Sequence, residues 1–155
     1  MDTEIKTRNA MGRRSRQNEI MKPGVSINHI TITVSNFDRS KRFYDMIFRA
    51  LRLRRMFSAG KNSPWRRKII GYGNEEYTFE IKEGKIKTRF NRRRVGLDHV
   101  AFTAPNKSGV DTFYRFLVKH KVSCTLPREY YYSKGYYAVF FKDPDGILLE
   151  FAYTP

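Results

Sequence analysis

Two equal spacings constrain this chain more than any other feature. His29 stands 51 residues before Glu80, and His99 stands 51 residues before Glu150. A shift of 70 residues superimposes the two pairs; it also lays Phe43-Tyr44 on Phe113-Tyr114 and Ile69-Ile70 on Val139-Phe140 without a gap. The chain is therefore one module written twice, and its fold must be built from two copies of one supersecondary unit.

Periodicity predicts what that unit is. In Ile27–Val34, Ile30, Ile32 and Val34 share one face while His29, Thr31 and Thr33 share the other, the alternation of a half-buried strand. A helix is expected over Asp38–Ala50, capped by Ser35-Asn36, with Phe43, Ile47 and Ala50 on one stripe. Strands are then expected near Arg54–Ser58, Arg66–Gly71 and Glu76–Lys82, separated by the turn signals of Gly60 to Pro64 and Gly71 to Asn74. The second copy repeats the order: strand Leu97–Ala104, helix Ser108–Lys119, then strands near Val122–Leu126, Tyr136–Phe141 and Ile147–Tyr153. The turn Asp143-Pro144-Asp145-Gly146 suits a type I geometry leading into the last strand. The expected class is thus α+β, from two tandem βαβββ modules. Residues 26–84 form the first module, 85–96 a basic connector and 97–155 the second; residues 1–25 read as a flexible basic tail.

Composition narrows the setting. At 155 residues with 40% hydrophobic side chains, the chain holds one compact unit with a real core. No apolar run approaches the roughly 20 residues of a membrane span, and the N-terminus shows no apolar signal region. The single cysteine, Cys124, has no internal partner; a buried structural thiol and a reducing cytoplasm are expected. Basic residues number 31 against 15 acidic ones. They are scattered as Arg13 to Arg16, Arg52 to Arg55, Arg66 to Lys68 and Arg92 to Arg94, with no nucleic-acid motif beside them. Solvated surface charge is the expectation, and nucleic acid is not an expected partner.

The repeated polar residues carry the chemistry. A carboxylate inside an apolar strand, as Glu150 is in Ile147–Phe151, requires a partner. His29, Glu80, His99 and Glu150 occupy matching positions, each on the face opposite its apolar stripe. Two imidazoles and two carboxylates suit a divalent first-row metal with coordination positions left open. If the sheets curl towards one another, the four line a shared cleft.

Asn28-His29-Ile30, Phe43-Tyr44, Glu80, Asp98-His99-Val100 and the closing Asp143-Pro144-Asp145-Gly146 to Glu150 resemble the vicinal oxygen chelate superfamily over residues 26 to 154. That superfamily includes glyoxalase I, fosfomycin-resistance proteins, extradiol dioxygenases and bleomycin-sequestering proteins. The resemblance implies a U-shaped, partly open sheet barrel around a metal cleft, a small oxygen-rich substrate, and a homodimer whose clefts combine modules of two chains. The His, Glu, His, Glu set resembles bacterial-type glyoxalase I. By that likeness the metal is nickel, cobalt or zinc, with manganese or iron as further choices. Glu150 is then the base that shuttles a proton, with Glu80 second, in a lyase or isomerase of lactoylglutathione lyase type. Thr33, Tyr136 and Tyr137 are the expected substrate contacts. Thr33 replaces an arginine that glyoxalase I uses for glutathione, and Lys82-Glu83-Gly84 stands where an Asn-Trp segment is expected, so the substrate stays open. The trio His29, His99 and Glu150 also matches a three-ligand thiol transferase or an Fe(II) dioxygenase. A cleft lined by Tyr130 to Tyr132 would serve a sequestering protein that performs no reaction.

Overall fold

The structure, a computed structural model, describes residues 26–64, 66–86, 88 and 90–155; the tail expected over 1–25 lies outside the described residues. The first copy contains β1 (His29–Val34), α1 (Phe37–Ala50), β2 (Arg54–Ala59), β3 (Ile69–Gly73) and β4 (Thr78–Glu83). The second contains β5 (His99–Thr103), α2 (Lys107–Lys119), β6 (Arg128–Glu129), β7 (Tyr137–Lys142) and β8 (Leu148–Tyr153). Both copies are βαβββ. No helix among the described residues is long and apolar enough to cross a membrane.

Each copy makes one four-stranded sheet, in the orders β1-β4-β3-β2 and β5-β8-β7-β6. The first strand pairs in parallel with the last, while the other neighbours are antiparallel. The register repeats as faithfully as the sequence. Thr31 faces Glu80 across β1 and β4, and Ala101 faces Glu150 across β5 and β8. Helix entry repeats too. The Asn36 side chain accepts from the Arg39 N–H at 3.0 Å, and the Asn106 side chain accepts from the Gly109 N–H at 2.8 Å. Both satisfy donors that a helix start leaves open.

One strand departs from expectation. The run Val122–Leu126 makes only an isolated bridge from Cys124 to Phe141, and the edge strand β6 comes later, at Arg128–Glu129. Pro127 is the reason. It has no N–H for the ladder, so pairing along β7 stops after the Thr125 N–H donates to Phe140 O at 2.8 Å and resumes beyond the proline. Cys124 is half-buried, and burial pushes its thiol up, as befits a packing role.

Among the described residues the two sheets share no hydrogen-bonded edge, and they do not close into a barrel. They are joined instead through their apolar sides. Ile32, Val34, Phe79 and Ile81 pack with Tyr44, Ile47 and Phe48 of α1; Val100, Leu149 and Phe151 pack with Val110, Phe113 and Leu117 of α2. Phe102 of β5 crosses the seam, its ring 5.6 Å from Phe48 and 5.7 Å from Phe79. The polar faces of β1 and β5 consequently look away from a common core.

The turn at 143–146 clamps the same seam. Asp143 accepts from the Asp145 and Ile147 N–H groups, both at 2.8 Å, and from the Tyr44 hydroxyl of α1 at 3.0 Å. Asp145 accepts from the Ser35 N–H at 2.7 Å and pairs with Arg39. Two carboxylates of the second copy are thus buried in contacts with the first.

Candidate metal centre

The parallel pairing of first and last strand sets a histidine and a glutamate on one face of each sheet. In the second copy they meet. His99 Nε2 lies 3.1 Å from Glu150 Oε2, and the Tyr136 hydroxyl donates to Glu150 Oε1 at 2.7 Å. Glu150 is 1% exposed, so these partners are what make the carboxylate tolerable in the sheet. Burial, helped by the bond to Glu150, pushes the Tyr136 phenol up, which keeps it a proton donor. The outer nitrogen of His99, Nδ1, is 2.8 Å from Asp98 Oδ1, and Asp98 Oδ2 is 3.3 Å from Arg92 Nε. The hydrogen bond from His99 holds the exposed Asp98 carboxyl below its ordinary value. Phe140 stands edge-on to the imidazole, with Tyr130 behind it and Tyr132 stacked on Tyr130 at 5.7 Å.

In the first copy the same positions are arranged differently. Glu80 accepts from Thr31 at 2.6 Å and from Thr78 at 3.1 Å, and His29 Nδ1 lies 2.8 Å from Asn28 Oδ1. Each imidazole therefore has one nitrogen occupied by the side chain just before it and presents the other, an orienting arrangement common behind metal ligands. The sequence carried a signal for these orienting residues: a short side chain with an accepting oxygen, Asn28 or Asp98, precedes each histidine at the same place in the repeat.

The other expected residues fall as follows. Thr33 is exposed on β1, on the face of His29 and Thr31. Tyr137 sends its hydroxyl to Asp111 of α2 at 2.8 Å, with the Lys107 ammonium over its ring. His120 caps α2 and packs on Phe116.

The metal set divides into His29 with Glu80 and His99 with Glu150. Among the described residues no three His, Cys, Asp or Glu side chains stand close enough to hold one ion. The reason is the shared core: each pair lies on the outer face of its own sheet. The His99–Glu150 pair nevertheless has the dimensions of two adjacent ligands. Bonds of about 2.1 Å at right angles place donor atoms about 3 Å apart, and the observed separation is 3.1 Å. Two imidazoles and two carboxylates are a donor set that divalent first-row metals take.

The profile of the Glyoxalase/Bleomycin resistance protein/Dioxygenase superfamily matches residues 26–151. The chain belongs to this superfamily. It is 28% identical over 126 residues to the protein YqjT of Bacillus subtilis, covering 80% of this chain and 95% of that one. A glyoxylase/bleomycin resistance protein/dioxygenase domain from Frankia sp. EAN1pec superimposes with a TM-score of 0.69 at 23% identity, over 87% of this chain and all of that one. Lactoylglutathione lyase from Agrobacterium tumefaciens superimposes with a TM-score of 0.63 at 16% identity, over 85% and 96%. At these identities the two structures speak for the glyoxalase fold. Proteins of the superfamily generally use a divalent metal and commonly act as dimers on small molecules.

Proposed function

We propose that this chain is a metal-dependent lyase or isomerase of the lactoylglutathione lyase type, acting on a small substrate with vicinal oxygens. Its site takes His29 and Glu80 from one chain and His99 and Glu150 from a second. The observation that carries the reading is the buried Glu150 carboxylate, met by His99 on one oxygen and by Tyr136 on the other. Such a buried carboxylate, partnered on both oxygens by a histidine and a tyrosine, marks a candidate functional site.

A nickel, cobalt or zinc ion held by His29, Glu80, His99 and Glu150 would supply positive charge that acidifies a C–H beside a carbonyl of the substrate. Glu150 is the base that receives the proton, while the Tyr136 hydroxyl holds Oε1 and so fixes the carboxylate plane. Glu80 is the second carboxylate, held by two threonine hydroxyls. Thr33 and Tyr136 face the substrate side. Tyr137, whose hydroxyl Asp111 takes, supports the loop that bears Tyr136.

Metal content decides this. Protein purified without chelator or histidine tag and measured by mass spectrometry is expected to hold about one ion per chain, lost in His99→Ala and in Glu150→Ala. A wild type that stays empty after dialysis against nickel, cobalt, zinc, manganese and iron in turn would end the catalytic reading.

A further inference from the structure

A cleft of about 1030 Å³ opens where the two copies and the connector meet, and none of His29, Glu80, His99 or Glu150 lines it. Its floor is apolar: Phe43 and Met46 of α1, Phe90 of the connector and Val122 after α2, all half-buried. Its rim is cationic: Arg92, Arg93, Lys121 and Lys142 are all exposed. The Lys142 N–H donates to Ser123 O at 3.0 Å, which ties the Lys121 loop to the end of β7 and sets both lysines on one wall.

The two carboxylates in the lining do not offset this charge. Asp143 is turned to Tyr44 and to backbone N–H groups, and Asp145 is taken by Ser35 and Arg39. Among the described residues Arg93, Lys121 and Lys142 make no salt bridge, and Arg92 meets only the exposed Asp98. Four like charges around one opening repel one another, and walls of low dielectric strengthen the field between them. An anion relieves that repulsion, and the aromatic floor gives a flat apolar body somewhere to lie. The size is that of small-molecule sites, roughly 300–1,000 Å³.

We propose that this cleft is a second binding site, for an organic anion that joins a phosphate or sulfonate group to an aromatic body. Binding requires neither the metal nor the partner chain, so it stands apart from the catalytic reading.

The test uses the full chain and 1-naphthyl phosphate, titrated by fluorescence, with inorganic phosphate as the probe that lacks the ring. Arg93→Glu with Lys142→Glu is expected to weaken naphthyl phosphate about tenfold or more. Arg54→Glu with Lys61→Glu changes the net charge equally, on β2 and the turn after it, and is expected to bind as the wild type does. Phe90→Ala is expected to weaken naphthyl phosphate several-fold and leave inorganic phosphate unchanged. Equal losses in the two double variants would assign the binding to the overall charge of +16 and overturn the site. Absence of binding by the wild type would overturn it as well.

Discussion

A chain carrying His29→Ala and Glu80→Ala, mixed with one carrying His99→Ala and Glu150→Ala, is expected to regain metal that neither binds alone. If each site draws one half from each chain, a mixed dimer has one site with all four donors and one with none. Random pairing in equal amounts then restores about a quarter of the wild-type metal per chain. If all four donors came from a single chain, mixing would restore nothing. Mass spectrometry after co-expression, with the two chains separated by different affinity tags, reads the result directly.

The physical ground for expecting restoration is the core. Both His–Glu pairs lie on outer faces because Ile32, Val34, Val100 and Phe151 face inward. Uniting the halves within one chain would break the seam in which Phe102 touches Phe48 and Phe79, and would release the clamp at Asp143 and Asp145. Exposing the buried rings of Phe48 and Phe79 costs roughly 2–3 kcal/mol each, before the half-buried Phe102 and the lost hydrogen bonds are counted. A second chain brings the complementary half without disturbing any of these contacts. Among the described residues β1 and β5 are also edge strands, the kind that can take a neighbour.

Replacing Asp143 by alanine is expected to cost about 3–4 kcal/mol of stability. The side chain is 5% exposed and accepts three hydrogen bonds. Removing it leaves the Tyr44 hydroxyl and the N–H groups of Asp145 and Ile147 without their acceptor in a closed space. For a chain of this length the loss corresponds to roughly 10 °C in Tm. Thermal unfolding followed by circular dichroism checks it, and a drop below 2 °C would mean that the turn does not hold the two copies together.

The same residue gives a pH signature of definite sign. Burial raises the Asp143 carboxyl above its ordinary value, against the pull of the Ile147 N–H, the Tyr44 hydroxyl and the Asp145 N–H. A raised acid binds its proton more readily in the folded chain than in the unfolded one. Its contribution to stability is therefore complete below the unfolded value and is lost as pH rises through the folded value. Asp143→Asn has no such titration. The stability of the wild type relative to this variant is expected to grow as pH falls from 7 towards 4, measured by urea unfolding at each pH. A shrinking difference over that range would show that the donors outweigh burial.

The amino-acid sequence by itself determined the repeat, and with it the βαβββ order and the placing of a histidine and a glutamate on the polar faces of the first and last strands of each copy. These are local and periodic properties: alternation assigns a strand face, Asn36 marks a helix start, and a shift of 70 residues carries each assignment into the other copy. Pro127 shows the limit of such reasoning, because one missing N–H moved an edge strand that hydrophobic pattern alone placed earlier. The tertiary structure decided how the copies meet. Residues far apart in sequence form the seam and the clamp, such as Phe48 with Phe102 and Tyr44 with Asp143, and no periodicity encodes their contact. Those contacts turn the two polar faces outward, so that His29 with Glu80 and His99 with Glu150 stand as two separate pairs. Tyr136 was legible as an expected substrate contact, but its bond to Glu150 was not, because the shift of 70 residues sets Tyr136 against Arg66, which repeats nothing of its chemistry.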